Sequence, residues 1–193
     1  MTEGVMAIEQ QRLYTVEEFE TIAETPQNRD RLLELVSGEI IEKVPTQEHG
    51  LYAGNIFGPL WNYTQAHGGR VVMEVRYRSP KDRHNARIPD VSYTAGDEEL
   101  VTKGSVPHMP ALAVEIKSPD DALKKMREKA RYYVENGTQL VWLVIPERHI
   151  VEVYTPDDEQ ILDENDALDG LTVLPGFSLP VREVFKDTGK QRL

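Results

Sequence analysis

Residues 111–121 read ALAVEIKSPDD. Successive side chains of a β-strand point to opposite faces, so Val114 and Ile116 are predicted to face a core while Glu115 and Lys117 share the other face. A carboxylate or an ammonium that is buried without a partner is very costly. The pattern therefore predicts a strand whose charged face either pairs its own side chains or forms a functional site.

The sequence after this strand predicts a helix and two further strands. Residues 118–121 (Ser-Pro-Asp-Asp) are typical of a helix N-terminus, apolar residues recur at helical spacing over 123–134, and Asn136-Gly137 suits a helix C-terminus. The apolar run 140–145 and the alternating run 150–154 are then expected to pair as a hairpin.

The preceding sequence predicts the rest of the fold. We expect a helix over 15–24, opened by a capping box, and then a hairpin around Ser37-Gly38. A second helix is expected over 50–66, with a kink at Gly58-Pro59, followed by strands over 71–77 and 88–93. After residue 174 we expect a closing loop and a short helix. This order predicts an α/β fold with a mixed sheet flanked by helices (αβββαβ), preceded by a helix and a hairpin. The length of 193 residues suits a single domain over 1–193, and we expect 1–13 and 186–193 to be flexible.

Composition excludes several classes of protein. The chain is 39% hydrophobic and 28% charged, an ordinary balance for a soluble protein. It contains no cysteine, which excludes disulfides and thiolate metal sites. The longest apolar run is too short to cross a bilayer, and the N-terminus does not resemble a signal peptide. We therefore expect a cytoplasmic protein without membrane association.

The charge is strongly acidic overall but unevenly distributed. The formal net charge of −11 argues against a protein that coats nucleic acid non-specifically, because phosphate binding is driven by Lys and Arg. Residues 157–169 hold seven acids and no base, which is typical of a solvated loop. Residues 76–88 hold five Lys or Arg and one Asp. This basic stretch is either ordinary solvated surface or a surface that binds the phosphate backbone of a nucleic acid.

Two carboxylates on neighbouring strands suggest a metal site. Asp90 lies at the start of one short predicted strand, and Glu115 lies in another. Mg²⁺ binds through one or two carboxylates, keeps several waters and bridges to phosphate oxygens. Lys117 would add a positive charge beside the attacking water or a phosphate oxygen. Two carboxylates, a metal and an ammonium are the groups that phosphodiester hydrolysis needs; the alternative is a Glu115–Lys117 ion pair with only a structural role.

Pro89-Asp90 followed by Glu115-Ile116-Lys117, in αβββαβ order, resembles the PD-(D/E)xK nuclease superfamily. The chain is similar in particular to the Uma-two family of restriction-endonuclease-like proteins, and the resemblance covers nearly the whole chain. The segments that carry it, besides the two motifs, are Tyr14–Phe19, Leu33–Ile40, Glu48-His49, Ile88–Val91, Gln139–Val144 and Leu174–Leu179.

The resemblance implies a restriction-endonuclease-like core with metal ligation by Asp90, Glu115 and the Ile116 carbonyl, and a catalytic role for Lys117. It also places Glu34 and His49 near the site. Read from the residues alone, Glu34 is equally a surface position of a hairpin, and His49 is equally a residue that precedes a helix. Lys129 is a further candidate for the same cleft.

We therefore expect a Mg²⁺-dependent endonuclease acting on DNA, with Mn²⁺ as a substitute metal and no other cofactor. A homodimer is expected, because cutting both strands of a duplex usually needs two active sites. A non-catalytic DNA-binding or protein-interaction module on a nuclease fold is the main alternative, since a fold does not determine a function.

Overall fold

A mixed six-stranded sheet forms the centre of the computed structural model, which describes residues 12–187 and residue 189. A smaller sheet of four strands packs beside it, and two further strands form a sheet of their own. Most of the sequence in the two termini expected to be flexible, 1–13 and 186–193, lies outside the described residues.

The elements follow one another in an order close to the predicted one. The helices are α1 (Val16–Ala23), α2 (Gln47–His67), α3 (Leu123–Glu135) and α4 (Val181–Val184), with a 3₁₀ turn at Pro146–Arg148. The strands are β1 (Leu33–Val36), β2 (Glu39–Glu42), β3 (Arg70–Met73), β4 (Tyr77–Arg78), β5 (Ala86–Arg87), β6 (Val91–Thr94), β7 (Leu112–Ile116), β8 (Leu140–Ile145), β9 (Ile150–Tyr154), β10 (Glu159–Leu162), β11 (Ala167–Asp169) and β12 (Ser178–Pro180). The predicted αβββαβ unit is α2, β3, β6, β7, α3 and β8. The central sheet has the strand order β10-β9-β8-β7-β6-β3, the smaller sheet has the order β2-β1-β5-β4, and β11 pairs with β12.

Strand β7 lies at the middle of the molecule and is buried on both faces. It pairs antiparallel with β6 and parallel with β8, and α3 supplies the crossover between the parallel strands. Val114 and Ile116 pack in the core beneath α2, whereas Ala113 packs in a second core beneath α3. The predicted alternation is therefore confirmed, and Glu115 points to the α3 side.

Two predicted strands have different bounds in the structure. The prediction of one strand over 71–77 is wrong: β3 ends at Met73, Glu74 takes a left-handed φ of 55°, and Tyr77 begins β4 in the smaller sheet. The strand predicted over 88–93 is present in the central sheet as β6, but it begins at Val91 rather than at residue 88. Between β3 and β6 the chain thus crosses to the smaller sheet and back, and Asp90 lies in the second crossing, directly before β6.

Three other local predictions differ from the structure. Helix α3 begins at Leu123 without a side-chain cap, because Ser118 and Asp121 bond to each other in a separate turn. Helix α2 begins at Gln47, three residues before the predicted start, and continues through Gly58-Pro59 to His67. The acidic stretch 157–169 is largely exposed, but it contains β10, an edge strand of the central sheet. Among the described residues, no helix combines the length and apolar character needed to cross a membrane.

The predicted capping box opens α1. Thr15 Oγ1 accepts the Glu18 N–H at 3.3 Å, and the Glu18 carboxylate accepts the Thr15 N–H at 3.0 Å. Replacing Thr15 by Ala removes one half of this exchange, so we expect the free energy of unfolding to fall by about 1 kcal/mol. Urea titration measures this change, and Thr21→Ala on the exposed side of α1 is the matched control. An equal loss in both variants would contradict a specific role for the cap.

Candidate active site

Three buried carboxylates converge between the central sheet, the smaller sheet and α3. Glu34 lies on β1, Asp90 directly before β6, and Glu115 on β7; their exposed fractions are 5%, 2% and 1%. The Asp90 N–H bonds to the Val114 carbonyl, which extends the β6–β7 pairing and brings Asp90 beside the carboxyl end of β7. The segments that carry Asp90 and Glu115 are therefore adjacent in the structure, as predicted.

Asp90 is held by three groups from three different parts of the chain. Its Oδ2 accepts the Ile116 N–H at 2.6 Å. Its Oδ1 contacts both the Lys43 ammonium and His49 Nε2, the latter at 3.1 Å. Lys43 follows β2, and His49 lies in the first turn of α2, where Thr46 caps the helix. The aspartate thus connects the hairpin, α2 and β7.

Glu115 and Glu34 share the ammonium of Lys129. Lys129 Nζ lies 2.8 Å from Glu115 Oε1 and 2.9 Å from Glu34 Oε1. Tyr133, one helical turn further along α3, donates its hydroxyl to Glu115 Oε1 at 2.8 Å. Glu34 also accepts the Ile88 N–H at 2.6 Å. Residues 129 and 133 lie on one face of a helix, so α3 supplies both contacts to Glu115.

The electrostatic environment shifts the pKa values of the three carboxyl groups in different directions. Burial acts to raise the pKa of Asp90, but Lys43 and His49 outweigh it and hold that pKa well below its usual range. Burial also opposes ionisation of Glu34, but Lys129, Lys43 and Arg87 lower its pKa. Burial raises the pKa of Glu115 despite Lys129 and Lys43, and the charges of Asp90 and Glu34 add to the rise. Asp90 and Glu34 are therefore held as anions, whereas Glu115 is the carboxyl group whose ionised form an added cation would stabilise most.

The family is identified by comparison with known proteins. A family model, Uma2, described as "Putative restriction endonuclease", matches residues 16–182. The chain belongs to the Uma2 family. The predicted resemblance to the Uma-two family is confirmed by this match.

The structure of this Uma2 protein is similar to a solved one. A crystal structure titled "putative nuclease belonging to DUF820", from Anabaena variabilis ATCC 29413, superposes with a TM-score of 0.74 at 23% sequence identity. The match covers 89% of this chain and 97% of that chain, and it confirms the predicted fold class. None of the curated proteins matches this chain significantly.

Lys117 pairs with an acid other than the three carboxylates of this Uma2 site. Its ammonium lies 3.0 Å from Glu147 Oε1 and donates to the Ser118 carbonyl at 3.1 Å. Lys117 and Glu147 line a cleft of about 480 Å³, together with Glu48, Tyr52, Pro119, Pro146 and His149. His49 connects the two regions, because its Nδ1 lies 3.4 Å from Ser118 Oγ while its Nε2 contacts Asp90.

The basic stretch of this Uma2 protein is largely occupied by contacts with its own chain. Arg76 donates to the Leu33 carbonyl at 3.0 Å and lies over the Phe19 ring. Arg78 and Arg83 face acidic residues of α1 at 3.8 and 3.4 Å. These contacts favour a structural role for most of residues 76–88 over a free track for phosphates.

The donor set suits a hard divalent cation. Asp90 Oδ1 and Glu115 Oε2 both lie within 4.0 Å of Lys43 Nζ. The ammonium therefore marks a position where one metal ion could be shared by the two carboxylates. Over residues 12–187, no cluster of three or more His, Cys, Asp or Glu side chains has a metal-binding arrangement. A cation here would therefore rely on Asp90, Glu115, a main-chain carbonyl and water, which is a ligand set that Mg²⁺ accepts.

Sequence reasoning missed Lys43 entirely and ranked Lys129 below Lys117. Lys43 lies in a hairpin that shows no motif around it, and its role depends on how the hairpin packs against β6. A signal for Lys129 did exist, because a lysine in the apolar stripe of α3 must bury its ammonium beside some anion. Its exposed fraction is 9%, and Glu34 and Glu115 are its partners.

Proposed function

We propose that this Uma2 protein is a metal-dependent endonuclease that hydrolyses phosphodiester bonds in DNA. The observation that carries the proposal is the placement of Asp90 and Glu115 around one cationic nitrogen, that of Lys43. The family description adds support, since it names a restriction endonuclease. The DUF820 protein, whose title names a nuclease, shares the fold.

Asp90, Glu115 and the Ile116 carbonyl are the proposed ligands of Mg²⁺, with Mn²⁺ as a substitute. A bound Mg²⁺ supplies a Lewis acid that polarises a phosphoryl oxygen and makes a bound water more acidic. The Ile116 N–H orients Asp90 by bonding its second oxygen. Lys129 and Tyr133 orient Glu115, and Glu34 holds Lys129 in place.

Two side chains, those of Lys117 and His49, are available to contact the phosphate. Lys117 lines the open cleft, where its ammonium can leave Glu147 for a phosphate oxygen. His49 bonds Asp90 and stands next to Ser118 at the inner end of the same region. In the reaction, a water oxygen bonds to phosphorus, a bridging P–O bond breaks, and the leaving oxygen takes up a proton.

Nicking of a supercoiled plasmid at low salt tests this function. We expect wild type to produce open circles with Mg²⁺ or Mn²⁺ and none with excess chelator. Low salt is needed because DNA binding by so acidic a protein weakens steeply with ionic strength. Lys117→Met is expected to slow nicking about 10²-fold with little change in melting temperature, because its partner Glu147 is half-exposed and stays hydrated. A variant as active as wild type would remove Lys117 from the mechanism.

A non-catalytic module that binds DNA or protein is the second candidate. The observation that favours it is that two lysines of the site region are paired with acids of the chain, Lys43 with Asp90 and Lys117 with Glu147. It predicts binding of plasmid or duplex DNA, or of a protein, without nicking under any metal condition. The homodimer remains a prediction, and sedimentation with and without duplex DNA tests it.

A further inference from the structure

Lys43 occupies the place between the two proposed metal ligands. Its ammonium contacts Asp90 Oδ1, lies 4.0 Å from Glu115 Oε2, and donates to the Ile88 carbonyl at 2.9 Å. No feature of the reaction proposed above uses this side chain. Its presence there needs an explanation, because a catalytic metal needs the same aspartate oxygen.

The ammonium and a metal ion exclude each other at Asp90 Oδ1. Mg²⁺ binds carboxylate oxygens at about 2.1 Å, and Lys43 Nζ is already in close contact with this oxygen. Charge gives a second reason. Three carboxylates already face two ammonium groups and the nearby Arg87, so a divalent cation added beside all of these cations would create a local excess of positive charge.

Of the two lysines in the site, Lys43 is the one whose ammonium can move out to solvent. The Lys129 side chain is 10% exposed, starts from the middle of α3, and is held by Glu34 and Glu115. The Lys43 side chain is 18% exposed and starts from the segment after β2, next to Val44, which is 80% exposed. A rotation about the Lys43 side-chain bonds can therefore take its ammonium toward solvent without disturbing a helix or a strand.

We propose that Lys43 competes with a divalent cation for the metal position. In the protein without metal, its ammonium neutralises the charge of the site. When a divalent cation binds Asp90 and Glu115, the ammonium leaves this position and is free to contact substrate phosphate. This inference rests on the proposed metal site. It makes Lys43 the residue that sets metal affinity and links metal binding to the exposure of a cation for the substrate.

Mn²⁺ binding, measured from the EPR signal of free Mn²⁺, tests the competition without any activity assay. We expect Lys43→Gln to bind Mn²⁺ at least tenfold more tightly than wild type. Arg87→Gln is the matched control, because Arg87 is a nearby cation whose guanidinium stacks on the Tyr132 ring, and its loss should change the affinity less than threefold. Equal effects of the two substitutions, or no gain in Lys43→Gln, would overturn the proposal.

Chemical labelling of the wild-type protein gives an independent measurement if Lys43→Gln folds poorly. Acetic anhydride followed by mass spectrometry reports the acetylation rate of each lysine. We expect saturating Mg²⁺ to raise the rate at Lys43 several-fold and to leave Lys129 protected. An unchanged or slower rate at Lys43 in metal-saturated protein would overturn the displacement.

Asp90→Asn separates the two proposals. If this substitution abolishes Mn²⁺ binding but Lys43→Gln does not strengthen it, the metal site stands and the competition by Lys43 fails. If Asp90→Asn binds Mn²⁺ as tightly as wild type, the proposed metal site itself fails, whatever the Lys43 variant does.

Discussion

Asp90→Asn is expected to reduce plasmid nicking by about 10³-fold, the largest effect on activity that the site predicts. The substitution removes the charge that holds the metal, and a loss of about 4 kcal/mol of transition-state stabilisation corresponds to such a factor. The fold should tolerate it, because the amide oxygen of Asn can still accept the Ile116 N–H, which lies 2.6 Å from Asp90 Oδ2. Lys43, which loses its charged partner, can turn its ammonium toward solvent, so no uncompensated charge stays buried. Nicking rates at saturating Mg²⁺ measure the effect.

The matched control for Asp90→Asn is Asp97→Asn, the same substitution in an exposed segment. It should nick like wild type. Circular dichroism and a melting curve must show that Asp90→Asn is folded, so that lost activity is not lost structure. A folded Asp90→Asn protein that nicks within tenfold of wild type would contradict the assignment of Asp90 as a metal ligand.

The part of the site that depends on strand periodicity was predictable from sequence. Val114, Glu115 and Ile116 alternate on β7 as expected, and Asp90 meets them through regular β6–β7 pairing. Such pairing repeats every two residues, so the side-chain directions follow from the sequence once the strand is recognised.

The cations of the site depend on packing between elements, which periodicity does not describe. Lys117 follows the strand, and its direction is decided by Glu147 in the turn after β8. Lys43 reaches Asp90 only because the hairpin packs against the segment before β6. Ser118 looked like a helix cap but bonds to Asp121 in a turn, because polar groups near a helix start have several competing partners.

Lys129→Met is expected to lower the free energy of unfolding by about 3–5 kcal/mol, the largest effect on stability. The substitution keeps an unbranched side chain but leaves Glu34 and Glu115 without the ammonium that both contact. Removing one partner of a buried ion pair costs this much because an uncompensated charge remains in the interior. Urea unfolding followed by circular dichroism measures the change, and Lys125→Met on the exposed side of α3 should alter it by less than about 0.5 kcal/mol.

The loss in Lys129→Met should depend on pH in a defined direction. Without the ammonium, the two carboxyl groups can relieve their buried charge only by taking up protons, and burial already raises the pKa of Glu115. Protonation becomes easier as pH falls, so the destabilisation at pH 8 should exceed that at pH 5. A loss that is equal at both values would indicate that the cost comes from lost packing of the lysine stem.

A double-mutant cycle with Glu115→Gln then isolates the ion pair. Gln keeps an oxygen that can accept the Tyr133 hydroxyl, which lies 2.8 Å from Glu115 Oε1, but it removes the charge that needs Lys129. The double variant should therefore be more stable than the sum of the two single losses predicts, by about 1–3 kcal/mol. Strict additivity would mean that Lys129 stabilises the protein through Glu34 alone, and that Glu115 is held by Tyr133 and Lys43.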